Sequence, residues 1–331
     1  MKLGVLKKLL IPKEIDTTLK NFVIVNLGAY YIKGLIIKEN KIIDYFIEPN
    51  GDFATLLKRI WQEKKITTNK VKVSIKNPFC LVRYFPFIKL EKKKLKEALF
   101  YELSKHIPYQ PQEVYFDFSI LEERSQNEVF LLLAVAKQEI INQIIETFKK
   151  QNLEVSQITL DSLCLINLFL DNYNDNNKQN VALLDIGYSS STLIIIRKGI
   201  PVLTRELTFN VKDIFGVISN LKNLQLNQVE SWIFSLHDKN ALLELIQENI
   251  INLYKEMRTS FDYFEVNSGE NINKIFLTGG LSSADILGKF LKDILGIDLE
   301  ILSLGSNSEV FSDEKFKTFK NSFSVAFGLY I

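Results

Sequence analysis

The chain has 331 residues, 47% of them hydrophobic and 24% charged, which suits about two folded domains with a sizeable core and excludes wholesale disorder. Its 41 basic and 39 acidic residues are interspersed and leave a formal net charge of +2, too small and too even for a nucleic-acid footprint. Two cysteines, Cys80 and Cys164, stand far apart in apolar contexts, and with only two histidines in the chain they exclude a Cys/His zinc constellation; both read as reduced core thiols.

Residues 1–20 form an N-terminal tail in which Leu3, Leu6, Leu9 and Leu10 share one helical face, with Lys2, Lys7 and Lys8 elsewhere. A short basic amphipathic stretch binds lipid only marginally, so a frayed tail is the expectation over a membrane contact. No signal-peptide pattern and no charge-free apolar run of about 18 residues occurs, so the sequence reads as cytoplasmic, with no transmembrane segment and any membrane association made through partners.

Strands are predicted from Asn21 to Ile43, a helix from Phe53 to Lys64 and a strand from Val71 to Ile75. The next stretch changes character: strand FCLVRYFPF, amphipathic helix LEKKKLKEALFYELSKHI, strands VYFDFSIL and EVFLLLAVA, and helix KQEIINQIIETFKKQN give a compact βαββα unit. Leu95, Leu99 and Leu103 trace the buried side of its first helix, the charge run Glu91 to Lys96 is a solvated face, and Pro108 and Pro111 close the helix. After VSQITLDSLCLINLF and the polar spacer DNYNDNNKQN comes a hairpin from Leu183 to Ile196, then a helical region from Asp213 to about Glu265 with the core stripe Leu253, Met257, Phe261 and Phe264. Strand Ile275 to Leu277 and the turn Thr278-Gly279-Gly280 follow, and FKNSFSVAFGLYI closes the chain as a helix.

Three of these turns carry chemistry. In LLDIGYSSSTLIII an apolar strand ends on Asp185, turns at Gly187, and presents amides and hydroxyls of Ser189, Ser190, Ser191 and Thr192 that can donate to phosphate oxygens, while the acid can hold a cation or its waters. The same dipeptides also suit an ordinary β-hairpin. Asn26, Gly28 and Lys33 repeat the strand, glycine turn and strand, with a lysine replacing one hydroxyl set. At Gly279 and Gly280 a strand meets a helix that Ser282 or Ser283 can cap. No GxxxxGK[ST] or GxGxxG occurs.

Strand-turn-strand loops opening each half, with a strand-GG-helix turn late in the second, resemble the phosphate 1, phosphate 2 and adenosine motifs of the actin-like ATPases. KHIPYQPQEVYFDF narrows this further: it is similar to the IPYPxEEVxxDY stretch of the PilM family of type IV pilus assembly proteins, as are Arg83 before Phe85-Pro86, the Arg205-Glu206 pair, and LYKEMRTSFDYFE beside that family's EIRRSLDYF helix. The resemblance spans roughly Phe22 to Ile331. It implies an α/β, actin-like (ribonuclease H-like) two-lobed ATPase fold with the βαββα subdomain inserted in the first lobe. The implied division is lobe I at 21–76 and 154–178, the inserted subdomain at 77–153, the lobe II core at 179–212 and 273–312, a helical subdomain at 213–272, and a C-terminal helix at 313–331 returning to lobe I.

That resemblance also implies ATP and Mg²⁺ as cofactors, held between the lobes, with Asp185 binding Mg²⁺ through water and Glu256, Arg258 and Ser260 facing the nucleotide. Where the family's first loop carries the acid of DIG, this chain has Asn26, which brings no charge to the cation. Losing one preorganised electrostatic group typically costs roughly 2.7 to 4 kcal/mol of transition-state stabilisation, so nucleotide binding with weak or absent hydrolysis is expected. Asp161 lies where relatives can carry a water-orienting acid; a first-turn or N-cap acid is the preferred reading. The resemblance further implies a cytoplasmic scaffold at the inner face of the inner membrane, whose groove takes the short N-terminal cytoplasmic peptide of a PilN-like inner-membrane protein, with pilus motor ATPases as further partners. The alternatives are a true actin-like ATPase, or a polymerising FtsA-type or GspL-type cytoskeletal or secretion component.

Overall fold

The computed structural model describes residues 19–173, 179–236, 240–280, 286–305 and 311–331. They divide into two units: one runs to Leu168 and resumes at Val325–Ile331, the other is Phe169–Ser324. The amphipathic stretch read within 1–18 and the caps read at Ser282 and Ser283 lie outside the described residues.

In the first unit β1 (Phe22–Leu27), β2 (Tyr31–Lys38) and β3 (Lys41–Pro49) form an antiparallel meander. Val23, Ile24 and Val25 have no exposed surface, so β1 is covered on both faces and its sequence is an unbroken apolar run with no alternation. Lys38 pairs with Lys41, leaving Glu39 and Asn40 at φ 51° and 61° as a two-residue turn whose twist matches the strands it joins. Helix α1 (Phe53–Glu63) starts at Asp52, whose carboxylate accepts from the Thr55 hydroxyl and the Ala54 amide; the Thr55 bond is the main reason its pKa lies below the usual carboxylate value. Strand β4 (Lys70–Ile75) lies parallel to β1, and β8 (Glu154–Leu160) parallel to β4, giving the order β3-β2-β1-β4-β8.

Between β4 and β8 the chain builds a second, antiparallel sheet from β5 (Cys80–Ile88), β6 (Val114–Glu123) and β7 (Glu128–Lys137), in the order β5-β7-β6. Helix α2 (Lys92–His106) covers one face. Its Leu95, Leu99 and Leu103 are fully buried and cluster with Leu131, Leu133 and Val135 of β7, as an i, i+4 apolar stripe requires. Helix α3 (Gln138–Lys150) returns the chain to β8. Helix α4 (Asp161–Asn172) then carries it out of the unit at Leu168.

The second unit repeats the first sheet's plan. Strands β9 (Asn180–Ile186), β10 (Ser191–Arg197) and β11 (Ile200–Leu207) form an antiparallel meander, and β12 (Lys274–Gly279) and β13 (Asp298–Ile301) add in parallel, giving β11-β10-β9-β12-β13. The region read as helical from Asp213 to Glu265 is three helices: α5 (Val211–Lys222), α6 (Leu226–Ser235) and α7 (Asn240–Ser268). Asn210 caps the start of α5 by accepting from the Asp213 amide at 2.8 Å, and Asn223, left-handed at φ 54°, ends it. Leu253, Met257, Phe261 and Phe264 bury one face of α7. Just beyond α7, the Glu270 carboxylate accepts from Arg197 at 2.5 Å, Asn180 at 2.8 Å and Lys198 at 2.9 Å. These donors, Arg197 foremost, lower its pKa to about 2.

Helix α8 (Ile286–Leu295) precedes β13. The segment read as one closing helix is two short helices, α9 (Glu314–Phe319) and α10 (Ser324–Tyr330), separated by a 3-10 turn at Lys320–Phe323. At the break the Asn321 carbonyl accepts from the Thr278 hydroxyl at 2.9 Å and the Ser324 hydroxyl at 3.0 Å, tying the turn to β12.

Candidate functional site

In the first unit, the polar residues at the ends of four apolar strands stand at one level of the sheet. Asn26 of β1 pairs with Lys33 of β2 and Ser74 of β4, and Ser74 pairs with Thr159 of β8. Asn26, Ser74 and Thr159 are all buried. The Asn26 amide donates to the Ser74 hydroxyl at 2.9 Å and to both carboxylate oxygens of Asp161 at 3.1 Å. Asp161 is the first residue of α4, where the helix N-terminus favours negative charge, and it is 9% exposed. It is thus a first-turn acid that also holds the β1 amide.

The turn after Asn26 is tight: a Cβ on Gly28 would lie 2.4 Å from the Tyr31 carbonyl oxygen. Asn50, just past β3, clamps it from outside. Its side-chain amide donates to the Gly28 carbonyl at 3.0 Å and its backbone amide to the Tyr30 carbonyl at 2.8 Å. Asn50 also lines a groove of about 340 Å³ between this hairpin and α3, with Leu27, Ile32, Phe53 and Ile144 as apolar wall and Gln143 and Thr147 as polar rim.

The second unit sets out an equivalent row. Asp185 of β9 pairs with Thr192 of β10 and Thr278 of β12, and Thr192 pairs with Glu206 of β11. Asp185 and Thr192 are 9% and 7% exposed, so the carboxylate closes the strand at the edge of the core. Each unit's first strand therefore ends in one buried polar residue two positions before a glycine turn; it is an amide in one unit and an acid in the other. The Gly187 and Tyr188 carbonyls accept from the first amides of α5 at 3.1 and 3.0 Å, Ser189 is exposed, and the Ser190 hydroxyl bonds Glu206. Ser191 is fully buried, so its hydroxyl lies in the protein interior.

The glycine pair belongs to the same end of this sheet. Gly279 pairs with Ile186, has φ 96°, and a Cβ there would meet the Ile186 carbonyl oxygen at 2.3 Å, so the turn lies directly on the first hairpin strand. Gly280 is exposed with open space beside it. On α7, Glu256 accepts from the Thr208 backbone amide at 3.0 and 3.2 Å. Ser260 is buried and accepts from Arg205 at 3.1 Å, and Arg258 pairs with Asp262 at 2.7 Å and Glu265 at 2.9 Å. These three side chains fasten α7 to β11 and to itself.

The predicted residues thus form a group in the first unit (Asn26, Gly28, Lys33, Asp161) and another in the second (Asp185, the Gly187–Thr192 turn, Gly279, Gly280). Ser74, Thr159 and Asn50 were missed by sequence reasoning, and Thr278 was read only as the start of the glycine turn. The signal for Ser74, Thr159 and Thr278 is a small hydroxyl residue near the end of a strand, in VKVSI, ITL and IFLTGG.

A family model described as type IV pilus assembly protein PilM matches residues 22–331. The chain belongs to the PilM family. A solved "PilM-PilN type IV pilus biogenesis complex" contains a chain similar to this one at a TM-score of 0.81 and 22% identity, with 93% of this chain and 97% of that chain covered. The ethanolamine utilization protein EutJ from Carboxydothermus hydrogenoformans aligns at 0.55 with 9% identity, covering 99% and 94%. MreB 5 of Spiroplasma citri, solved bound to AMPPNP, aligns at 0.50 with 11% identity, covering 93% and 94%. The PilM-family chain therefore has the actin-like α/β fold expected from its three turns, and is a type IV pilus assembly protein. Among its described residues, no helix is long and apolar enough to cross a membrane.

Proposed function

We propose that this PilM-family chain is a scaffold that captures the short N-terminal cytoplasmic peptide of a PilN-like inner-membrane protein, and that the groove of about 340 Å³ beside the first hairpin receives it. Family membership supports the partner class, and the groove is the observation that carries the reading. Its apolar wall suits alternate side chains of an extended peptide, and the amides and hydroxyl of Asn50, Gln143 and Thr147 suit the peptide backbone. Association with the inner face of the membrane, and contact with pilus motor ATPases, follow on this reading through partners. Calorimetry with that N-terminal peptide is the test. Binding that Ile144→Asp or Thr147→Trp weakens about tenfold or more supports the assignment, and equal binding by these variants overturns it.

The same chain binds nucleotide on this proposal. The exposed Ser189 and the open turn at Gly280 offer donors to phosphate oxygens, and Asp185 beside the Thr192 and Thr278 hydroxyls is an all-oxygen set that suits a hard cation held through water. The Gly28 turn and Lys33 supply a second donor set, and Asn26 in place of an acid on the strand favours ground-state binding of MgATP over turnover. MgATP is expected to raise the melting temperature, and Asp185→Ala and Gly280→Asp to abolish that rise; an unchanged melting temperature of the wild type at millimolar MgATP counts against nucleotide binding. Rapid partner-independent phosphate release, lost in Asp161→Ala, would favour the enzyme reading.

A further inference from the structure

The inserted three-stranded sheet has the order β5-β7-β6, so no described strand pairs with the outer edge of β6. An unpaired strand of ten residues is a template for another chain unless something covers it. Beside it lies a second groove, of about 560 Å³, formed by the first turns of α2 and the middle of β6. Lys92, Lys93 and Lys96 rim it, Phe118 supplies an aromatic surface, and Glu97 and Asp117 are the acids among its described lining residues. The three lysines are exposed, and the ion pairs of this region engage Lys89 with Glu123 and Lys94 with Glu91. The helix thus adds three ammonium groups where its own N-terminus is already positive.

We propose that this groove is a docking site for an acidic, extended segment of a protein partner, separate from the groove beside the first hairpin. Backbone pairing along β6 supplies affinity that is independent of sequence, and the alternate side chains that face α2 carry carboxylates to the lysine rim. The concave shape favours a peptide over an anionic membrane, which a flat or convex basic face would meet. Charge complementarity gives the partner's sign. A rim of three lysines raises the encounter rate for an acidic strand and repels a basic one.

The test uses the full chain and a fluorescein-labelled peptide of about ten residues that alternates Glu with Val and Phe, with a Lys-for-Glu counterpart as control. Anisotropy should show the acidic peptide binding at least about tenfold more tightly than the basic one, with affinity falling as salt rises. The triple variant Lys92→Glu, Lys93→Glu, Lys96→Glu should lose this preference, and Glu97→Lys should strengthen it; all four positions are exposed, so both variants should keep the wild-type melting temperature. Equal binding of the two peptides, no binding of either, or indifference to both variants overturns the proposal. So does a result in which vesicles of anionic phospholipid bind the chain through these lysines while the peptide does not. Because Ile144→Asp leaves this groove untouched, its effect on the other peptide is read independently.

Discussion

The side-chain amide of Asn26 donates to both carboxylate oxygens of Asp161, 135 positions later in the chain, at 3.1 Å each. The end of β1 and the start of α4 are thereby joined by a buried amide–carboxylate pair with a single negative charge. Asn26→Asp, which would match the family's first-loop acid, places a second carboxylate against the first. Burial and like charge raise the pKa of such a pair, so the variant should lose about 3 kcal/mol of stability near pH 7 and regain part of it as the pH falls and one acid takes a proton. Urea denaturation at two pH values checks the sign. The double variant Asn26→Asp/Asp161→Asn, which restores one amide and one acid, should recover most of the loss.

The two glycines of the GG turn should respond differently. Gly279→Ala brings a Cβ against the Ile186 carbonyl at a positive φ and should cost about 1 to 3 kcal/mol or more. Gly280→Ala meets open space and should stay within about 0.5 kcal/mol. Comparable midpoints for the two variants in chemical denaturation would contradict the close approach of β12 to β9.

Asn50 joins the two proposed sites, because its side chain lines the first groove and its amides hold the Gly28 turn. Asn50→Ala should weaken the PilN-like peptide in calorimetry and also shrink the melting-temperature rise produced by MgATP. Gln143→Ala, on the same groove, should affect the peptide alone. Loss of neither or of only one in Asn50→Ala would separate the two sites.

Glu270 gives a pH dependence with a definite sign. Its pKa falls from 4.5 to about 2 on folding, so its contribution is complete above pH 4.5 and is lost as the pH drops toward 2. Glu270→Gln should lower the melting temperature at neutral pH and flatten its decline across that acid window. A melting curve series from pH 7 to about pH 2 reads both effects.

Strands such as β1, β9, β10 and β12 were legible because they are apolar runs bounded by turn residues, and helix α2 because Leu95, Leu99 and Leu103 repeat at helical spacing. The glycine turns were legible because few other residues tolerate such close backbone contact. What escaped was non-local. Nothing near Ser74 announces Asn26, and nothing near Glu270 announces Arg197, since sheet register decides who stands beside whom. Local pattern also missed the break before α10, where the Thr278 hydroxyl of β12 bonds a carbonyl of the interrupted helix.

Strand parity has a consequence for how such a chain can vary. Asn26 and Asp185 face as they do because each lies a fixed number of steps along a pleat whose side chains alternate between layers. Substitution at either position changes the chemistry and leaves the geometry. Inserting a single residue upstream in either strand would turn the polar terminus to the opposite layer and slide the whole apolar set out of its seat. The strands that feed the turns therefore tolerate no insertion.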